Sequence, residues 1–227
     1  KQVGAGGRLR ASVLGVNDGL VSNFSLVMGV TGGTHDVNIV LLAGVAGLLA
    51  GSFSMAAGEY VSMRSQRDIY EFELEKEAEE LREWPEEEEE ELVLIYQAKG
   101  LSRQESERIA ERVMGDPAVA LDTMAREELG LDPSDLGSPW GAAASSFLAF
   151  VAGAGLPLLP YIFRGGGSAV TASAVLSGIA LVIVGSALAG ISGRSVLWGG
   201  LRMLLAGASA AAVTYGVGSF VGTAVIG

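Results

Sequence analysis

The chain of 227 residues has no cysteine and a single histidine. The first absence excludes disulfides, thiolate metal ligands and cysteine catalysis. The second leaves only His35, predicted beside Asp36 in an external loop. That excludes the HExxH helix of zinc proteases and the Glu-x-x-His pairs of helical di-iron carboxylate sites. No enzymatic activity is expected. Charge is also scarce over most of the chain: of the 26 acidic residues, only Asp18, Asp36 and Glu59 lie outside the segment from Arg64 to Asp135. That segment holds 23 acids against 9 basic residues, a net −14, and the remainder holds 3 against 6, a net +3. A net charge of −11 with 49% hydrophobic residues therefore averages two unlike parts.

Outside the acidic segment stand five blocks of Gly, Ala, Val, Leu and Ile, each long enough to cross ~30 Å of hydrocarbon as helix. They run from Ala11 to Gly32, Val37 to Met63, Trp140 to Phe163, Ala169 to Ile191 and Val196 to Ile226. The first is not expected to be a secretory signal, because Asn17, Asp18, Ser22 and Asn23 interrupt it. Lys1, Arg8 and Arg10 precede the first block, Arg64 and Arg67 follow the second, and Arg194 and Arg202 bracket the start of the fifth; only Arg164 falls on the other side. By the positive-inside bias, the N-terminus and the acidic insert are expected in the cytoplasm and the C-terminus opposite.

Small residues recur at four-residue spacing in Gly15 with Gly19, Gly29 with Gly33, Gly47 with Gly51, and Gly218 with Gly222, a pattern that lets helices approach closely in lipid. Most of these pairs are expected to serve packing within the chain and at least one a subunit interface. No internal repeat is visible, which argues against an inverted-repeat transporter within one chain.

The insert is predicted to be helical. Ser65 to Glu83 continues the second block without a breaker, as a rigid arm. Trp84-Pro85 ends it, and Pro85 opens a helix that runs through Glu86 to Glu91 as far as Lys99-Gly100. Ser102 and Glu105 form a capping box for the next helix, which stops near Gly115. Asp116-Pro117 then starts Ala118 to Leu129, closed by Gly130. Acids recur on these helices as Glu73, Glu77 and Glu80, then Glu88 and Glu91, and Met124 lies one turn from Glu128. Two readings of this periodicity stand: a solvated acidic face, or oxygen ligands gathered around a cation. The thioether of Met124 tilts the second reading toward a transition metal.

Within the apolar blocks, Asp18 lies eight residues past Arg10 and Met55 nine before Arg64 on a helix running the other way. Both fall ~12–14 Å in from the cytoplasmic side. Glu59 is one turn from Met55, and Asn17, Ser22 and Asn23 add oxygen near Asp18. An ionisable group at that depth lines a polar path or is tied up in an interhelical hydrogen bond. Carboxylates with a thioether favour a cation pathway for a borderline metal.

Three stretches carry a resemblance: Val16-Asn17-Asp18-Gly19-Leu20-Val21-Ser22-Asn23, Ser54-Met55-Ala56-Ala57-Gly58-Glu59-Tyr60-Val61-Ser62, and Glu128-Leu129-Gly130-Leu131-Asp132-Pro133. From about Arg8 onward the chain resembles the vacuolar iron transporter family. The resemblance implies an all-α membrane protein with five transmembrane helices and a cytoplasmic helical metal-binding domain between the second and third. The corresponding divisions are residues 1–63, 64–138 and 139–227. It implies a homodimer in the lipid bilayer that exports Fe²⁺ from the cytosol in exchange for protons through a pathway between subunits. Mn²⁺ is a further cargo, with Co²⁺ or Zn²⁺ unranked against it. No permanently bound cofactor and no nucleic-acid partner are expected. Carried over by motif, Asp18 and Met55 match the family's translocation residues, and Glu77, Glu80, Glu88, Glu91, Met124 and Glu128 match its cytoplasmic metal ligands. The chain departs from plant members at Gly7, Ala11 and Gly47, where acids are expected, so Glu59 is the expected substitute in proton coupling. Residue usage looks bacterial, which favours a bacterial cell membrane over a vacuole; some bacterial relatives carry a ferritin-like domain upstream. The competing reading is a membrane-anchored metal-buffering module without transport.

Overall fold

A computed structural model describes residues 3–163 and 167–225, with side chains between Ser12 and Ala224. The side chains of Lys1, Gly7, Arg8, Arg10 and Ala11, and the positions of Arg164 and Ile226, lie outside that description. Among the described residues all regular structure is helical. The helices are α1 (Val3–Gly33), α2 (Val37–Glu83), α3 (Pro85–Ala98), α4 (Arg103–Met114), α5 (Pro117–Glu127), α6 (Pro139–Gly155), α7 (Leu159–Phe163), α8 (Gly167–Ile191) and α9 (Val196–Val225). Among the described residues five stretches are long and apolar enough to cross a membrane, and α6 to α7 together make the third of them.

The chain divides into two compact units, Arg8–Tyr60 with Trp140–Gly227, and Lys1–Gly7 with Val61–Pro139. Helix α2 contributes to both. Its 47 residues extend ~70 Å at 1.5 Å each, about twice the hydrocarbon thickness. Only Val37 to Met63 is apolar, and charge begins at Arg64.

The apolar unit is built on close backbone approach. A Cβ at Gly15 would lie 2.9 Å from the Ser146 carbonyl of α6, and one at Gly222 would lie 2.7 Å from the Gly33 Cα. Gly29, Gly33, Gly218 and Gly222 thus form the α1–α9 seam, Gly15 and Gly19 face α6, and Gly47 and Gly51 accommodate Leu26 and Phe150. All four spaced pairs make close contacts inside the chain. Burying Gly reduces the separation of the axes, so dispersion replaces the missing hydrophobic drive. Gly218→Ala presses a methyl onto the Gly29 carbonyl, where backbone cannot yield. It should cost roughly 1–3 kcal/mol, read as a lower thermal midpoint in detergent.

The third span is not one continuous helix. Leu156–Leu158 forms a 3₁₀ turn between α6 and α7, because Pro157 and Pro160 have no N–H for the ladder. Side chains from other helices satisfy carbonyls there: the Asn23 amide donates to Ala154 O at 2.6 Å, and Ser173 donates to Pro157 O at 2.7 Å. Thr31 and Tyr161 share a hydrogen bond of 3.0 Å across the same region.

In the acidic unit, Ser102 and Glu105 make the expected capping box, and the Asp116 carboxylate caps α5 by accepting from Ala118 N. Helix α5 ends two residues before the expected Leu129, with Gly130 at φ +67° in the left-handed region that favours glycine. Leu92, Val93, Ala110 and Met124 form its core, with Leu81, Tyr96 and Val113 packed around them. Arg103 on α4 forks onto Glu90 of α3 with two bonds of 2.7 Å.

Candidate metal centre

Three of the acids expected at a metal site come together. Glu77 of α2, Glu88 of α3 and Glu128 after α5 each place a carboxylate oxygen within 4.8 Å of the others. The N1 proline at Pro85 starts α3 immediately after α2, so Glu88 lies in its first turn. Glu128 caps the C-terminus of α5, its N–H bonded to Met124 O. Oxygens that share one cation at about 2.0–2.6 Å are at most about 5 Å apart, so the spacing fits a single ion.

Burial makes this group unusual. Glu77 is 2% exposed and Glu88 8%, whereas Glu128 faces solvent and leaves one side open. Glu77 Oε1 and Glu88 Oε2 are enclosed without a hydrogen-bond donor, an arrangement that costs the full desolvation of each atom. Burial pushes the Glu77 carboxyl up to about 8, assisted by the charges of Glu128 and Glu88 and by a hydrogen bond with Glu128. Glu88 is raised by burial and then by Glu91; Glu128 is raised by burial and Glu91, against a hydrogen bond from Glu77 that lowers it. Carboxyls raised in this way bind a proton or a cation in exchange.

The other expected ligands stand around this trio. Glu80 and Glu91 act on it through charge, and Glu80 takes both oxygens to Lys76 Nζ at 3.0 Å. Sequence reasoning passed over Lys76, although its i,i+4 spacing from Glu80 was a visible signal. Met124 is fully buried against Leu92, Val93 and Ala110. Glu73 is not part of the close trio.

In the apolar unit the expected pathway residues lie on α1 and α2. Asp18 is exposed on α1, and Met55 and Glu59 are half-buried on α2. Among the described residues no hydrogen bond or ion pair joins these three side chains. Asn17 is half-buried, with Oδ1 enclosed and unpartnered. Asn23 is 2% exposed and holds the end of α6 through its amide, leaving Oδ1 without a donor. A Cβ at Gly47 would lie 3.1 Å from Asn23 Oδ1 and 2.9 Å from Leu26 Cδ1. A side chain at position 47 would therefore require the Leu26 and Asn23 side chains to shift.

Comparison with known proteins supports the family resemblance. Residues 9–219 match the model of the VIT family. A vacuolar iron transporter of Acanthamoeba castellanii is 38% identical over 221 residues, covering 95% of this chain and 79% of that protein. Vacuolar iron transporter 1 of Arabidopsis thaliana is 34% identical over 216 residues, covering 95% and 86%, and that of Eucalyptus grandis is 34% identical over 214 residues, covering 94% and 86%. With five apolar spans, a gathered carboxylate trio and a match across almost its whole length, the chain belongs to the VIT family.

Proposed function

We propose that the chain is a multi-pass divalent-metal transporter that exports Fe²⁺, and also Mn²⁺, from the cytosol in exchange for protons. The observation that carries this reading is the carboxylate trio Glu77, Glu88 and Glu128, in which Glu77 and Glu88 are buried and each keeps one oxygen without a donor, in a VIT-family chain with five spans. The acidic unit lies on the cytoplasmic side and collects metal. Loading releases protons, since carboxyls held high must ionise to serve as ligands. Asp18, Met55 and Glu59, with Asn17 and Asn23 nearby, supply the membrane pathway of a homodimer in which each subunit completes the other's path. The exposure of Asp18 in the single chain supports an intersubunit position. The membrane is that of a bacterial cell.

Flux into sealed liposomes containing a metal indicator and a pH-sensitive dye tests the reading with Fe²⁺ and Mn²⁺. Saturable metal entry with opposite proton movement is expected; binding without entry would favour a membrane-anchored buffering module. Met55→Ala removes a soft ligand but no charge, so it should slow Fe²⁺ and Co²⁺ by about tenfold and harder cations less. Glu59→Gln should flatten the pH dependence of initial rates, and an unchanged profile would remove Glu59 from proton coupling.

A further inference from the structure

At the turn between α8 and α9 the chain builds a basic pocket that metal transport leaves unused. Its cavity, of about 350 Å³, is lined among others by Ser192, Arg194, Ser195, Trp198 and Arg202. The turn separates two apolar spans, Gly167–Ile191 and Val196–Ala224, so it lies at a membrane surface. Gly193, at φ +65°, closes α8 in a Schellman motif: Gly193 N donates to Gly190 O at 3.2 Å and Arg194 N to Ala189 O at 2.8 Å. That geometry sets where the Arg194 side chain leaves the helix. Arg202 comes from the second turn of α9, and helical side chains tilt toward the N-terminus, which directs its guanidinium back to the same turn.

Both arginines lack an obvious counter-ion. No Asp or Glu occurs after Asp135, and among the described residues neither arginine forms an ion pair. A guanidinium within an apolar span is costly unless it reaches an anion or water. The N-terminus of α9 opens on the same side, adding partial positive charge and amide donors. Trp198 is 62% exposed, the placement of an indole that lies at headgroup level.

We propose that this pocket binds the phosphate of an anionic phospholipid headgroup in the leaflet facing the basic ends of the helices. Arg194 and Arg202 hold the phosphate oxygens with paired N–H bonds, the Ser192 and Ser195 hydroxyls complete its hydrogen bonding, and Trp198 lies along the glycerol and upper acyl region. Anionic lipid then acts as a structural ligand that ties α8 to α9.

The test uses the full purified chain in mild detergent, supplied with equal amounts of phosphatidylglycerol and phosphatidylcholine of matched chains, and reads retained lipid by native mass spectrometry. Preference for phosphatidylglycerol of roughly thirtyfold is expected from two arginines at a membrane surface. R194Q/R202Q should abolish it. R194K/R202K keeps the charge that orients the chain but loses the paired bonds, so it should lose several-fold of the preference. Equal retention of the two lipids by the wild type, or wild-type preference in either double variant, overturns the proposal. A parallel thermal-unfolding arm uses inorganic phosphate: stabilisation as large as that by phosphatidylglycerol would mean a free-anion site and would also overturn it, whereas stabilisation by the lipid alone supports it.

Discussion

Asp18→Asn should reduce Fe²⁺ flux into liposomes to the background of empty vesicles while leaving the protein folded and its assembly unchanged. The substitution keeps shape and polarity and removes only the charge that attracts a cation and accepts a proton. Folding should tolerate it: the side chain is exposed, and the local hydrogen bond, Ser22 Oγ to Asp18 O at 2.6 Å, uses the backbone. Even partners one shell removed from a metal cost ~10–100-fold when lost, so loss of a group in the path should reach at least the upper end. Full transport by a folded Asp18→Asn variant would take this residue out of the mechanism.

Replacing Glu77, Glu80, Glu88, Glu91 and Glu128 together by Gln should weaken calorimetric binding of Mn²⁺ to the full chain by on the order of 100-fold or more. It should also leave slower, still saturable transport, because a collecting site raises local metal concentration without forming the path. Wild-type binding should depend on pH in a definite direction. With the Glu77 carboxyl held at about 8, metal must displace a proton below that pH, so affinity should rise by up to ~tenfold per unit between pH 6 and 8 and then level off. Metal-free stability moves the opposite way. A carboxyl raised above its ordinary value keeps more protons folded than unfolded, so its stabilisation is full below about 4.5 and is lost as pH rises through about 8. Binding that stays undiminished in the five-Gln variant would make the acids a solvated face. Complete loss of flux in a folded variant would make them an obligatory part of the pathway.

Periodicity grouped Glu77, Glu88 and Glu128 with other acids on helix faces, since residues three and four apart share a face, but it left both a solvated face and a cation site open; the family resemblance singled these residues out as ligands. Periodicity carried no information on which oxygens lose water. Glu77 and Glu88 are enclosed, whereas Glu91, on the same helix as Glu88, is exposed; that difference arises from packing of α2, α3 and α5. Met124 illustrates the same limit, because a thioether one turn from a glutamate also fits a core position, and here it packs with Leu92 and Val93. The interruption at Leu156–Leu158 was legible in principle from Pro157 and Pro160, but the apolar run around them read as one span.

Composition and order alone determined that this chain is helical, that it carries five apolar spans and that its acids are concentrated between the second and third. Each of these follows from local physics: backbone polar groups in lipid must bond within their own segment, and clustered charge cannot enter hydrocarbon. Tertiary structure alone decided which glycines meet which helices, that Asn23 turns inward to the Ala154 carbonyl rather than toward Asp18, that Gly47 faces the Leu26 and Asn23 side chains, and that two arginines share one pocket at the α8–α9 turn. These depend on distances between segments far apart in the chain, and helical periodicity specifies a face without naming the partner that will cover it.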